Sequence, residues 1–233
     1  GGQIVDAIGA PEYSPPNLNS QGLKTQPDWL FSFFNNPTVI RPNLQVRMPS
    51  FTMFDDDDWN SVIGAFQHME NHNLSFENTH LVDVNSVEFR AADKLHEFGA
   101  CNNCHFYGEV KPIQDPSTWA PNLALTKERL RPEWVVEWLR DPQKIMPGTK
   151  MPAPYLPTSD LLQDDGAVDI WGKDLVKLNG DNELMLKGLT DYIYNIPGKI
   201  DISDFVREYF RTNGYDFDSN EEEDEEDDWD EDW

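Results

Sequence analysis

Cysteine is nearly absent from this 233-residue chain, with two in all. That excludes a disulfide framework and a four-cysteine zinc site. Basic side chains are scarce as well: 18 Lys and Arg face 43 Asp and Glu, a net charge of −25. A surface of that sign repels phosphate backbones, so nucleic acid is not an expected partner. No run of about 18 apolar residues occurs, so no segment reads as a transmembrane helix. No secretory signal is visible at the start, which mature numbering or an incomplete N-terminus would explain. Strand patterning is missing too, apart from Leu81-Val82-Asp83-Val84, which is long enough only for a brief pairing. The expectation is an all-α fold.

The two cysteines lie together, in Cys101-Asn102-Asn103-Cys104-His105. At the C-x-x-C-H spacing two thiols can add to the two vinyl groups of one haem while the next histidine reaches its iron. Zinc and a thioredoxin-like dithiol compete with this reading. Zinc needs two further ligands, and only His68, His72, His80 and His96 are on offer, with no compact pair near the cysteines. The dithiol reading needs a βαβ context that the sequence does not provide.

Downstream residues sharpen the haem reading. Pro121-Asn122-Leu123 follows the histidine after a loop. Arg131 to Pro142 then reads as a short amphipathic helix, with Pro132 near its start and Asp141-Pro142 as its stop. Met146-Pro147-Gly148-Thr149-Lys150-Met151-Pro152 follows on a Pro/Gly-rich loop. A thioether is a soft ligand suited to haem iron, and Met opposite His raises the reduction potential.

In that order, C-x-x-C-H, P-N-L, W-x-x-x-W-L-x-x-P and P-G-T-x-M-P, the chain resembles the class I c-type cytochromes over residues 86–153. The resemblance implies that Cys101 and Cys104 hold haem c covalently and that His105 is the proximal ligand. It further implies that the Pro121 carbonyl orients His105, that Leu123 and Trp134 pack on the haem, and that Met151 is the distal ligand. Met146 is the competitor for that last place.

An internal repeat is the second feature. Pro16-Asn17-Leu18, Pro27-Asp28-Trp29-Leu30 and Asn36-Pro37 recur 105 residues later as Pro121-Asn122-Leu123, Pro132-Glu133-Trp134-Val135 and Asp141-Pro142. After a two-residue slip, Arg47-Met48-Pro49 matches Lys150-Met151-Pro152. Four blocks in one order imply two copies of one folded unit. The first copy shows no C-x-x-C-H, and the same offset would end that motif just before Gly1. Either the motif belongs upstream, giving a second haem with Met48 as an axial ligand, or the first copy has lost its haem. The retained Pro16-Asn17-Leu18 and Met48-Pro49 favour the first of these, while the aromatic run Phe31, Phe33, Phe34 leans weakly toward the second.

The expected organisation is a truncated or degenerate cytochrome c-like domain over 1–80, a haem-binding domain over 81–213 with an insertion at about 153–180, and an acidic tail over 214–233. Residues 1–26 read as loop. Helices are expected over Pro27–Asn35, from Asp55 to about Asn71, over Val87–Phe98, over Asp181–Tyr194 and over Ser203–Arg211. Eleven of the thirteen residues from Glu221 to Trp233 are acidic, yet the rest of the chain still carries 18 basic against 32 acidic side chains.

These features point to electron transfer, as a carrier or as a cytochrome subunit of a respiratory or photosynthetic complex. Its partner would be a redox protein or membrane complex with a basic docking surface. Covalent haem implies an extracytoplasmic location, most simply a bacterial periplasm. The alternatives are a dihaem peroxidase-like enzyme or haem sensor, and a zinc-binding interaction module.

Overall fold

A computed structural model describes residues 18–41, 48–70 and 80–197. All of them fall in one compact unit. Pro16, Asn17 and Arg47 of the repeat blocks, His72, the Ser203–Arg211 helix and the acidic tail lie outside the described residues. Among the described residues the fold is all-α: there are only isolated bridges and no sheet. Leu81 to Val84 forms no ladder. No described helix is long and apolar enough to cross a membrane.

Local chemistry sets the helix ends. Gln21–Lys24 is a single turn of helix (α1) where the sequence reads as loop. Helix α2, Pro27–Asn35, starts on a proline whose missing N–H costs nothing there. Helix α3, Asp56–Met69, is opened by Asp55, whose carboxylate accepts the N–H groups of Asp57 and Asp58 while Asp58 answers its backbone. Trp59 and Ile63 bury the inner face of α3, but Met69 at its end is exposed. Helix α4, Val87–Gly99, is capped by the Ser86 hydroxyl. Further on come α5, Thr126–Arg129, α6, Pro132–Arg140, and α7, Pro142–Ile145.

The insertion at 153–180 is not surface decoration. It folds into three short helices, α8 (Ser159–Gln163), α9 (Ala167–Trp171) and α10 (Lys173–Lys177). Leu162, Ala167, Trp171, Leu175 and Leu178 from this stretch are buried in the main core. The closing helix α11, Asn182–Tyr194, is capped by Asp181 and buries Met185, Leu186, Leu189 and Ile193. Leu184 on the same helix is exposed.

Two apolar cores result. The larger joins α4, α6, the insertion helices and α11, while Leu30, Phe34, Trp59 and Ile63 form the smaller one. Phe34 stacks on Trp59 at 4.6 Å, so the aromatic run of α2 fills that smaller core.

Helices 105 residues apart share their limits: Gln21–Lys24 with Thr126–Arg129, and Pro27–Asn35 with Pro132–Arg140. The two pairs meet through reciprocal contacts. Thr25 bridges antiparallel to Leu130, its own counterpart in the repeat. The Gln26 N–H donates to the Arg129 carbonyl and the Arg131 N–H to the Lys24 carbonyl, each at 2.9 Å. The Gln26 side chain donates to the Leu130 carbonyl at 2.7 Å, and Arg131 Nε donates to the Thr25 carbonyl at 3.3 Å. Bonds exchanged between counterparts are the mark of an approximate twofold axis.

The tightest crossing joins α4 and α11. A Cβ on Gly188 would come within 2.2 Å of the Glu88 carbonyl oxygen. Gly188→Ala must push the two helices apart, at a cost of about 1–3 kcal/mol. Gly64 on α3 has open space around its missing Cβ. Gly64→Ala is therefore expected to stabilise by about 0.5–1 kcal/mol. Urea unfolding of the two variants beside the parent chain should move the midpoint in opposite directions.

Candidate haem site

The C-x-x-C-H stretch begins where α4 stops. Ala100 takes the left-handed conformation, φ 47°, at a cost of about 1–2 kcal/mol for an L-residue. That reversal turns Cys101–Asn103 into a 3-10 turn, and the His105 N–H donates back to the Cys101 carbonyl at 2.9 Å.

The turn is then laced to the segment that follows. The Ala120 N–H donates to the Cys104 carbonyl at 2.8 Å, and the Leu123 N–H donates to the Phe106 carbonyl at 2.9 Å. Buried Phe106 and Trp119 meet edge to face behind this strip, with ring centres 5.0 Å apart.

This lacing brings His105 Nδ1 to 2.7 Å from the Pro121 carbonyl oxygen. A carbonyl can only accept, so the proton sits on Nδ1 and the lone pair on Nε2. Burial pushes the His105 pKa down, with the Pro121 carbonyl acting weakly the other way. The ring is held neutral with its Nε2 lone pair fixed in orientation. Both cysteines are free thiols, partly buried, and burial pushes the Cys101 thiol up.

Helix α6 supplies the aromatic wall. Trp134 and Trp138, four residues apart, lie on one helix face and stack at 5.1 Å with 14° between planes. The Trp138 indole N–H donates to the Met151 sulfur at 2.8 Å. Leu123 and Met151 pack against the core cluster that contains Trp134, while Met146 is not among the residues packed there. Met48 lies elsewhere, against the smaller core of Leu30, Phe34, Trp59 and Ile63. The structure thus joins His105 to Pro121 and gathers Leu123, Trp134 and Met151 on one core.

Among the described residues no three His, Cys, Asp or Glu side chains gather where they could hold a metal ion. His80 is engaged at 2.7 Å by the buried carboxylate of Asp191, and His96 packs between Tyr107 and Tyr192.

Sequence reasoning missed two positioning residues. Asn122 clips the loop: its side chain accepts the N–H groups of Gly108 and Ala124 and donates to the Gly108 carbonyl. The available signal was an Asn between Pro and Leu at a chain reversal. Trp138 steadies Met151, and its signal was the W-x-x-x-W spacing.

Comparison with protein-family models, with curated proteins and with solved structures finds no match for this chain.

Asn122→Ala removes two hydrogen bonds that tie the Pro121 segment to Gly108 beyond His105, and a third, from the Ala124 N–H, that caps the turn after it. It should cost about 2 kcal/mol by chemical denaturation, since each bond contributes about 0.5–1.5 kcal/mol and the loss is partly shared with water.

Proposed function

We propose that this chain transfers electrons through one haem c, attached at Cys101 and Cys104 and ligated by His105 and Met151. The observation that carries the reading is the 2.7 Å contact between His105 Nδ1 and the Pro121 carbonyl, directly beyond two free thiols. It leaves one imidazole lone pair available on a ring that cannot turn.

The residues present fit such a group. Two thiols stand two residues apart for thioether bonds, followed at once by an orientated nitrogen donor. Met151 offers a soft sulfur whose place is held by the Trp138 indole. Leu123 and Trp134 supply apolar surface. When bound, haem iron supplies reversible Fe(III)/Fe(II) exchange. The protein's part is to hold both axial donors, to exclude water with its indoles, and to set the potential through burial and charge.

Thioether attachment of haem is an extracytoplasmic chemistry, so a bacterial periplasm is the simplest location for the chain. Its net charge of −25 suits a redox partner, soluble or membrane-bound, that presents a basic surface. The first copy would either hold a second haem, with Met48 as a ligand, or serve as a packing module.

Production in cells competent for cytochrome maturation tests the reading. The expected product carries covalently bound haem by mass and by haem staining, and Cys101→Ala with Cys104→Ala removes it. The reduced protein should be low-spin and should not bind carbon monoxide. Met151→Ala should lower the reduction potential and open the iron to carbon monoxide. A colourless, iron-free parent chain would falsify the proposal. Carbon monoxide binding by the reduced parent chain would instead move it to a sensor or peroxidase-like enzyme.

A further inference from the structure

Three cations gather where the two repeat copies meet. Lys24 and Arg129 are repeat counterparts, 105 residues apart, and so are Trp29 and Trp134. The contacts are crossed. Lys24 Nζ lies 5.2 Å from the ring centre of Trp134, and Arg129 Cζ lies 5.4 Å from that of Trp29. Each copy sends its cation over the indole of the other. Arg41 is close enough to act electrostatically on both.

Among the described residues no carboxylate answers these three. Burial pushes the Lys24 pKa down to about 7, and Arg129 and Arg41 push it the same way. Burial, then Arg41, pushes Arg129 down to about 10. The carboxylates of Glu133 and Asp28 act on Arg131 instead. Two donors are also left over, since Arg129 Nε and Trp134 Nε1 are buried without a hydrogen-bond partner. Desolvated cations of one sign, together with buried N–H groups that lack partners, are costly unless an anion completes the site.

We propose that Lys24, Arg41 and Arg129 form a carboxylate-binding site shared by the two repeat copies, whose ligand is the propionate pair of the haem held at Cys101 and Cys104. This rests on the functional reading above and adds a task for the first copy. Whatever that copy itself binds, it supplies two of the three charges that set the potential of its neighbour. Trp134 links the two ideas, because one of its faces belongs to the core cluster that includes Leu123 and Met151 while Lys24 stands over its ring. Planar N–H edges from Arg129 and from an indole match a planar carboxylate. A cation beside the haem favours the reduced, more negative state, so its removal must lower the potential.

The test uses the matured haem protein, with redox titration and redox-difference infrared spectra in the carboxylate region. Lys24→Gln and Arg41→Gln should each shift the reduction equilibrium about tenfold toward the oxidised form, about 59 mV for one electron. The propionate bands should move while the low-spin visible spectrum stays as in the parent. Lys173→Gln, which removes an exposed lysine of α10, should shift the equilibrium less than twofold. A potential indifferent to Lys24 and Arg41 in a protein with normally attached haem overturns this inference alone. A colourless chain overturns it together with the functional reading. Inorganic phosphate separates the two anion sources: a saturable shift of the parent's potential that Lys24→Gln abolishes would assign the pocket to a free anion and overturn the propionate assignment.

Discussion

The bond from the His105 imidazole to the Pro121 carbonyl is the constraint on which the site depends. It needs a carbonyl placed to within a few tenths of an ångström, sixteen residues from the ring it holds. Proline suits that place, for it offers an acceptor and no competing donor. The neighbours in the sequence divide the remaining work. Asn122 ties the segment back to Gly108, and Leu123 anchors it on the core. Backbone bonds at Ala120 and Leu123 keep the segment in register with Cys104 and Phe106. A slip of one residue there would exchange the Pro121 carbonyl for a different group and free the imidazole to turn.

That strip could not hold its position without the core behind it. The crossing of α4 and α11 fixes the first turn of α4, and the far end of that helix leads into Ala100 and the turn of Cys101. The insertion helices close the same core from another side, through Leu162, Trp171 and Leu175. The reciprocal bonds around Thr25 and Leu130 close it from a third. A residue can pair with its own repeat counterpart only near an axis that interchanges the two copies. The bonds at Lys24, Gln26, Arg129 and Arg131 therefore say more about how these segments meet than their sequence similarity does.

What the sequence revealed follows from the range of the forces involved. Helix starts are short-range chemistry, so Asp55, Pro132 and Asp181 were readable. The Cys101–His105 motif was readable because its whole spacing is contained in five consecutive residues. The helices of the insertion escaped, since five-residue pieces carry little more than one helical turn and no usable period. The single turn at Gln21–Lys24 escaped for the same reason. On α11 Leu186, Leu189 and Ile193 are buried, and Met185 is fully buried with them while the neighbouring Leu184 is exposed. Met69 is apolar yet exposed, because α3 outruns the small core it packs on. The polar clips from Asn122 and Trp138 depend on where distant loops arrive, which no local pattern states.

Charge raises a last question of scale. A chain with a net charge of −25 should resist taking up an electron. Among the described residues most acidic side chains are exposed, and at physiological salt exposed charges are screened beyond a Debye length of about 8 Å. A partly buried cation is screened far less, and its Coulomb energy in a medium of low dielectric is several times larger at the same distance. Lys24, Arg41 and Arg129 are few, but they sit where the dielectric is low and no carboxylate among the described residues opposes them. In the proposed electron-transfer role the acidic surface and the three cations would therefore act on different quantities, the first on which partner approaches and the second on how readily the haem is reduced. Such a separation would let the docking surface change without retuning the centre, and the reverse.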